Sequence, residues 1–171
     1  IRVKAIAAMD RALSGQPAVA VKIGKPEKIK FAYDETSKLY PVSGKIGKKK
    51  CCIALNPEVY YNTISFHEAN RCGIRLLGEQ TELNKDSLGC FGIADCIRIG
   101  NLTLANVPFW VYNDERPTSL GVCMMKQIPA MCIHSDKSLE FLPEAPAQNN
   151  WPLMRSDVVI YGETDSTTLR M

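Results

Sequence analysis

The sequence lacks both a strong charge imbalance and a long hydrophobic run. Its 171 residues include 21 basic and 18 acidic side chains, which leaves a net charge of only +3. Such a mild excess gives no electrostatic reason to expect a nucleic acid or an anionic membrane surface as a partner. No apolar stretch approaches the roughly 20 residues that a transmembrane helix requires. The one dense basic run, Lys45–Lys50, falls between two strand-like segments and is interpreted as a solvated hairpin tip.

The sequence also lacks the spacings of a metal or cofactor site. It has seven cysteines but no Cys-x-x-Cys pair, and its two histidines, His67 and His134, lie far apart in the chain. Most of the cysteines fall in apolar runs, where a thiol behaves as a small hydrophobic group. We therefore predict no metal, no cofactor and mostly buried free thiols. Free thiols favour a reducing compartment. The sequence opens on Ile1 without a signal-peptide pattern, which leaves targeting undecided.

Hydrophobic patterning predicts a mainly β chain with 46% hydrophobic residues, enough for one substantial core. A short helix is expected over Ile1–Leu13. Strands are expected at 17–24, 29–33, 38–46, 49–55, 93–99, 102–112 and 158–161, and a closing hairpin at 131–142. The strand 102–112 is expected to be broken near Asn106–Pro108. Short helices are expected at 66–72 and 119–127, with Thr118 or Ser119 as the cap of the second. We predict three regions: an extension (1–37), a central domain (38–142) and a linker with a tail strand (143–171).

The stretch Cys51–Ser65 is the element around which the chain is expected to be organised. An apolar strand ends at Leu55, a Pro-containing turn follows, and a second strand is predicted over Val59–Ile64. Ser65 and Glu68 then form a capping box, which predicts the start of a helix. Many folds present a reactive group on a loop of this kind.

Four segments in this order resemble the retropepsin-like aspartic proteases, and particularly their bacterial branch. They are the loop stretch with the following Gly73–Leu77, the run 92–111, the segment 120–127 and the hairpin 131–141. The resemblance implies a closed β-barrel with two short helices, here with an additional N-terminal helix. It places a substrate-covering flap at 78–92, including Leu88, Gly89, Cys90, Phe91 and Gly92, which are flexible by composition. It places Leu120 and Gly121 behind the catalytic loop, and it favours a periplasmic or exported protein.

Proteases of this family use one Asp-Thr-Gly motif per subunit, so that a homodimer supplies two carboxylates facing one water. Counting back from Ile64 places the three motif positions at Asn56, Pro57 and Glu58. An amide at Asn56 cannot accept the proton of the water. Pro57 lacks a backbone N–H, and Glu58 adds a side chain where the family has none. The resemblance therefore predicts a pseudoenzyme that acts as a peptide-binding or dimerisation module, with Tyr60 and Tyr61 beside the groove.

Several alternatives stay open from the sequence alone. The chain is an active homodimeric aspartic endopeptidase if Glu58 supplies the acid or if the acid is misplaced by register. Asp165 begins a second, weaker Asp-Ser-Thr pattern, whereas Asp95 is expected to be an ordinary strand residue. A thiol hydrolase would pair Cys51, Cys52 or Cys72 with His67, although no orienting residue can be assigned. The expected partners are a second copy of the chain and an extended peptide.

Overall fold

The structure is a computed structural model that describes residues 2–33, 35–36, 39–144 and the backbone of 161–163. The helices within these ranges are α1 (Arg2–Leu13), α2 (Phe66–Arg71) and α3 (Val122–Met125). The strands of the first half are β1 (Ala20–Ile23), β2 (Ile29–Lys30), β3 (Tyr40–Ile46), β4 (Lys49–Leu55), β5 (Thr63–Ser65) and β6 (Arg75–Asn84). Those of the second half are β7 (Ser87–Ile99), β8 (Leu102–Tyr112), β9 (Ser119–Leu120), β10 (Ala130–His134), β11 (Ser138–Leu142) and β12 (Tyr161–Glu163).

Six strands close into a barrel. Their order is β8, β5, β9, β4, β3 and β7, and the long antiparallel β7–β8 ladder completes the ring. β1 extends the sheet beyond β8, and β6 extends it beyond β7. A second sheet has the order β12, β10, β11 and β2. The predicted mainly β barrel with two short helices and an N-terminal helix is thus confirmed.

The core fills the barrel with alternating apolar side chains. Leu102, Leu104, Val107, Phe109 and Val111 are completely buried along β8. Each such residue contributes about 1.5 to 3 kcal/mol relative to an exposed position. The N-terminal strands pack onto the same core, because β1 pairs with the start of β8 and β2 pairs with the start of β11.

The two short helices differ in how well the sequence predicted them. Ser65 caps α2 as expected, since its side chain accepts a hydrogen bond of 3.1 Å from the backbone N–H of Glu68. The helix expected over 119–127 is wrong in its first part. Ser119 and Leu120 form β9, and Gly121 rather than Thr118 or Ser119 precedes α3. The ladder with β4 and β5 holds these residues extended.

The prediction that Leu88–Gly92 is a flexible stretch is wrong. These residues belong to β7 and pair with β8 over Gly89–Gly92, and with β6 as well. A Cβ atom at Gly89 would lie 2.0 Å from the carbonyl oxygen of Val111. Glycine is therefore needed at this position for close packing, and its presence does not indicate mobility.

Two further strand predictions depart from expectation. The strand expected over 59–64 is reduced to β5 at 63–65, because residues 56–62 form a loop. The break expected near Asn106–Pro108 does not interrupt β8, although Asn106 adopts a φ of 57°. Of the tail strand expected at 158–161, residues 158–160 lie outside the described part of the chain, and β12 pairs in parallel with β10. No helix in the described ranges combines the length and the apolar character needed to cross a membrane.

Candidate functional site

The loop 56–62 is held by a crossing of two chain segments. β9 runs parallel to β4 and antiparallel to β5, so it lies between the two strands that flank the loop. The backbone N–H of Asn56 donates to the carbonyl of Leu120 over 2.9 Å. On the far side of the loop, the N–H groups of Val122 and Cys123 donate to the carbonyls of Val59 and Tyr60, both over 2.9 Å. The loop backbone is therefore fixed at its start and in its second half.

Asn62 is a buried polar residue that the sequence analysis missed. Its side chain is 2% exposed, and its Oδ1 accepts a 2.9 Å hydrogen bond from the backbone N–H of Gly121. Its Nδ2 donates to the carbonyl of Pro108 over 2.9 Å. One amide thus joins the site loop to β8 and to the start of α3. The sequence signal that could have identified Asn62 is a single amide residue within a run that is mostly apolar and aromatic.

Gly121 lies directly against the loop backbone. A Cβ atom built there would stand 2.5 Å from the carbonyl oxygen of Tyr60 and 2.8 Å from that of Tyr61. Real Cβ atoms do not approach carbonyl oxygens so closely, so any larger residue would push the loop away. The structure therefore brings both Leu120 and Gly121 to the back of the loop, one through a backbone hydrogen bond and the other through close contact.

The tip of the loop carries Asn56, Pro57 and Glu58. The Asn56 side-chain oxygen accepts a hydrogen bond of 3.0 Å from the backbone N–H of Glu58, which closes an Asx turn. Asn56 and Pro57 are half-buried, and Glu58 is exposed. At the first position of the turn the loop therefore presents an amide whose oxygen is already engaged with its own backbone.

A cavity of about 680 Å³ opens in front of this loop. Its walls come from the loop, from the tip of the β6–β7 hairpin, from β8 and the segment after it, and from α1. The lining residues are Arg2, Glu58, Val59, Tyr60, Tyr61, Thr63, Leu83, Asn84, Lys85, Trp110, Tyr112 and Arg116. We call this cavity the groove. Four of its twelve lining residues are aromatic, three are cationic and one, Glu58, is acidic.

Stacked aromatic rings form one wall of the groove. The Tyr61 ring lies 4.6 Å from that of Trp110, with the two planes 18° apart. The Tyr112 ring lies 6.5 Å from that of Trp110. Burial raises the pKa of both tyrosine hydroxyls above the usual value, so the rings stay uncharged at neutral pH. Packed aromatic faces of this kind suit apolar or planar groups. Of these residues only Tyr61 was predicted from the sequence.

The hairpin tip is tied to the segment that follows β8. Ser87 Oγ donates to Asp114 Oδ2 over 3.2 Å, and Arg116 Nε donates to Asp114 Oδ1 over 2.6 Å. The Arg116 guanidinium also lies 3.4 Å from the centre of the Tyr112 ring. The hydrogen bond from Arg116 is the main reason that the pKa of Asp114 falls below its usual value. These contacts hold the hairpin over the groove within a single chain.

The residues proposed from the sequence as the flap occupy a different place. The tip of the hairpin is formed by Asn84–Ser87, and the groove is lined by Leu83, Asn84 and Lys85. Leu88 is exposed, whereas Gly89, Cys90, Phe91 and Gly92 are buried in the middle of the sheet. The hairpin tip lies within the predicted range 78–92, but the residues that line the groove lie several positions earlier than Leu88–Gly92.

The geometry does not assemble the other candidate catalytic groups. Burial raises the pKa of the Cys51 thiol to about 11 and also raises that of Cys72, so neither is a ready thiolate. Asp95 is paired with Arg75 through a 3.0 Å contact at the surface. Asp165 lies outside the described residues. Within the described ranges, no group of three or more His, Cys, Asp or Glu side chains is placed to hold a metal ion.

Comparisons with known proteins agree with this geometry at the level of the fold. No model of a protein family matches the chain, and no curated protein does either. Among solved structures, it is similar to a retropepsin-like aspartic protease from Rickettsia conorii, with a TM-score of 0.53 and 13% identity, over 74% of this chain and 94% of that one. The retroviral protease-like domain of Ddi1 from Leishmania major gives a TM-score of 0.44 and 15% identity, over 62% of this chain and 95% of that one. The chain therefore has the retropepsin-like aspartic protease fold.

Proposed function

We propose that the chain is a retropepsin-like domain that does not hydrolyse peptides and instead binds an extended peptide in its groove. The observation that supports the proposal is the turn at Asn56, whose side-chain oxygen accepts a hydrogen bond from the Glu58 N–H at the position where the family resemblance places the catalytic carboxylate. An amide cannot act as general base toward a water at neutral pH. Without that base the groove retains only its capacity to bind.

The lining of the groove supports a peptide ligand. Tyr60 and Tyr61 offer aromatic surface with the buried Trp110 stacked behind Tyr61, and Leu83–Lys85 of the hairpin tip line the same cavity. A volume of about 680 Å³ accommodates several side chains of a peptide. Of the groove residues that belong to the barrel and its loops, Lys85 and Arg116 are cationic and Glu58 is acidic, which favours a ligand with acidic side chains.

The proposal includes a homodimer. In this fold one subunit contributes one loop of the kind formed by 56–62, and a two-fold axis brings a second loop to face it. The groove of one chain would then be continued by the same surface of its partner. Sedimentation equilibrium of the purified protein tests this part, and a monomer at all accessible concentrations would refute it.

The second candidate is an active endopeptidase in which Glu58 supplies the acid, since Glu58 is the acidic residue that lines the groove. We would incubate the protein with a mixture of peptides between about pH 4 and 7, the range in which a carboxylate pair operates. The expected result is no cleavage above that of a Glu58→Gln control. Turnover that Glu58→Gln abolishes and a general aspartic-protease inhibitor blocks would establish the active alternative.

Binding is tested separately from cleavage. Peptides of ten residues selected from a displayed library on the immobilised protein are expected to be enriched in acidic and aromatic residues. The affinity of a selected peptide is expected to fall about tenfold or more on Tyr61→Ala, because a buried aromatic contact is lost. Tyr33→Ala is the control, since Tyr33 is an exposed tyrosine that does not line the groove. Selection of no peptide, or equal losses for both variants, would refute the binding role.

A further inference from the structure

The helix α1 covers part of the same aromatic wall that lines the groove. Ala5 is completely buried in a cluster with Leu83, Phe91, Trp110 and Tyr112. Trp110 Nε1 donates a hydrogen bond of 3.0 Å to the sulfur of Met9. A segment of the chain's own N-terminal region therefore occupies a surface that a peptide ligand would use.

The helix divides what would otherwise be one continuous groove. A second cavity, of about 310 Å³, shares Tyr60, Tyr61 and Trp110 with the first. The N-terminal end of α1 lines the first cavity through Arg2, and its later turns line the second through Met9 and Leu13. Without α1 the shared aromatic wall would be open along its whole length.

The attachment of α1 is weak compared with that of the barrel strands. Within α1 only Ala5 is fully buried, and Val3 is 80% exposed. The other residues that face the wall are Ile6, Ala8, Met9 and Ala12, all of them only partly buried, and the two alanines bury little area each. Residues 14–19 form a turn and an irregular segment with Gly15 at a φ of 76° before β1 begins at Ala20. This segment provides a hinge between the helix and the barrel.

We propose that α1 is an autoinhibitory segment, which separates the groove from the second cavity in the free protein and detaches when a peptide binds across both. This inference rests on the proposed peptide-binding function. A ligand that binds only after α1 leaves has an apparent affinity reduced by the fraction of molecules in which the helix is detached. A variant that detaches α1 is therefore expected to bind more tightly than the wild-type protein.

Two matched variants test the proposal in the full chain. Ala5→Glu places a charge against the aromatic wall and drives α1 away, whereas Ala7→Glu places the same charge on the exposed side of the same helix. The first probe is a labelled synthetic peptide with the sequence of residues 2–13. Its affinity for Ala5→Glu is expected to be higher, by about tenfold or more, than its affinity for the wild type or for Ala7→Glu, because only Ala5→Glu exposes the wall. The second probe is a ten-residue library peptide, which is expected to show the same ranking and to compete with the first.

Equal binding of both probes by the three proteins would overturn the autoinhibitory role. If the library peptide does not bind but the helix peptide still binds Ala5→Glu more tightly, the proposed function would be refuted, whereas the detachment of α1 from the wall would still be supported. If Ala5→Glu does not fold, Met9→Glu replaces it, because Met9 is only half-buried. Unfolding of both variants would show that α1 is an integral part of the fold and would likewise overturn the proposal.

Discussion

Replacement of Asn62 by alanine is expected to destabilise the loop 56–62 and, with it, the folded protein. The change removes the partner of the buried N–H of Gly121 and a partner of the part-buried carbonyl of Pro108, each of which now bonds the amide over 2.9 Å. An unsatisfied buried group costs about 1 to 3 kcal/mol. Taken together, the two losses reduce the free energy of unfolding by about 4 kcal/mol. That is a large part of the 5 to 15 kcal/mol that stabilises a typical domain.

The loss can be measured by urea unfolding followed through tryptophan fluorescence. Trp110 is a suitable reporter, because its backbone N–H donates to the Asn62 carbonyl over 2.9 Å. Asn70→Ala is the control, since Asn70 is exposed near the end of α2 and the same atoms are removed there. Surface changes of this kind stay within about 0.5 kcal/mol. A loss for Asn62→Ala below about 1 kcal/mol would refute the view that this amide holds the loop.

Two further changes test the packing of Gly121 against the loop 56–62 and the ion pair between Arg116 and Asp114. Gly121→Ala is expected to lower the free energy of unfolding by about 2 kcal/mol or more, whereas Gly24→Ala, whose Cβ would meet its nearest atom at 3.5 Å, should be nearly neutral in the same urea experiment. Arg116 lowers the pKa of Asp114 in the folded state. The stability that this pair contributes is therefore fully present above the pKa of Asp114 in the unfolded chain, and it is lost as the pH falls through the pKa of Asp114 in the folded protein. Wild type should therefore lose more stability than Asp114→Asn between about pH 5 and 2, and identical pH profiles would contradict the linkage.

The elements that local patterning specifies were predicted well. The Ser65 cap, the 40–55 hairpin and the closing hairpin each follow from neighbouring residues, and the structure has all three. The errors concern residues whose conformation depends on distant partners. Ser119 is extended because it lies between β4 and β5, which precede it by more than fifty positions. Gly89 is in a strand because a carbonyl of β8 lies against it, and no local pattern reports that contact.

The groove could be predicted only in part, for the same reason. The loop 56–62 follows from local signals, since the end of β4, Pro57 and the Ser65 cap lie close together in the chain. The aromatic wall combines Tyr61 with Trp110 and Tyr112, which lie almost fifty positions later and meet it only because β5 pairs with β8. The position of α1 on that wall depends on tertiary packing of small side chains, which an amphipathic pattern does not reveal.

The scaffold that positions the loop and the chemistry at its tip depend on different groups. The backbone of the loop is held by the buried amide of Asn62, by the absence of a side chain at Gly121 and by main-chain hydrogen bonds such as that of Asn56. None of these contacts requires a carboxylate at position 56. The fold is therefore stable whether or not the tip can catalyse, and for this reason structural similarity at 13% identity carries no information about activity. In the proposed homodimer, activity would depend on residues 56–58 and on the groups that face them across its two-fold axis.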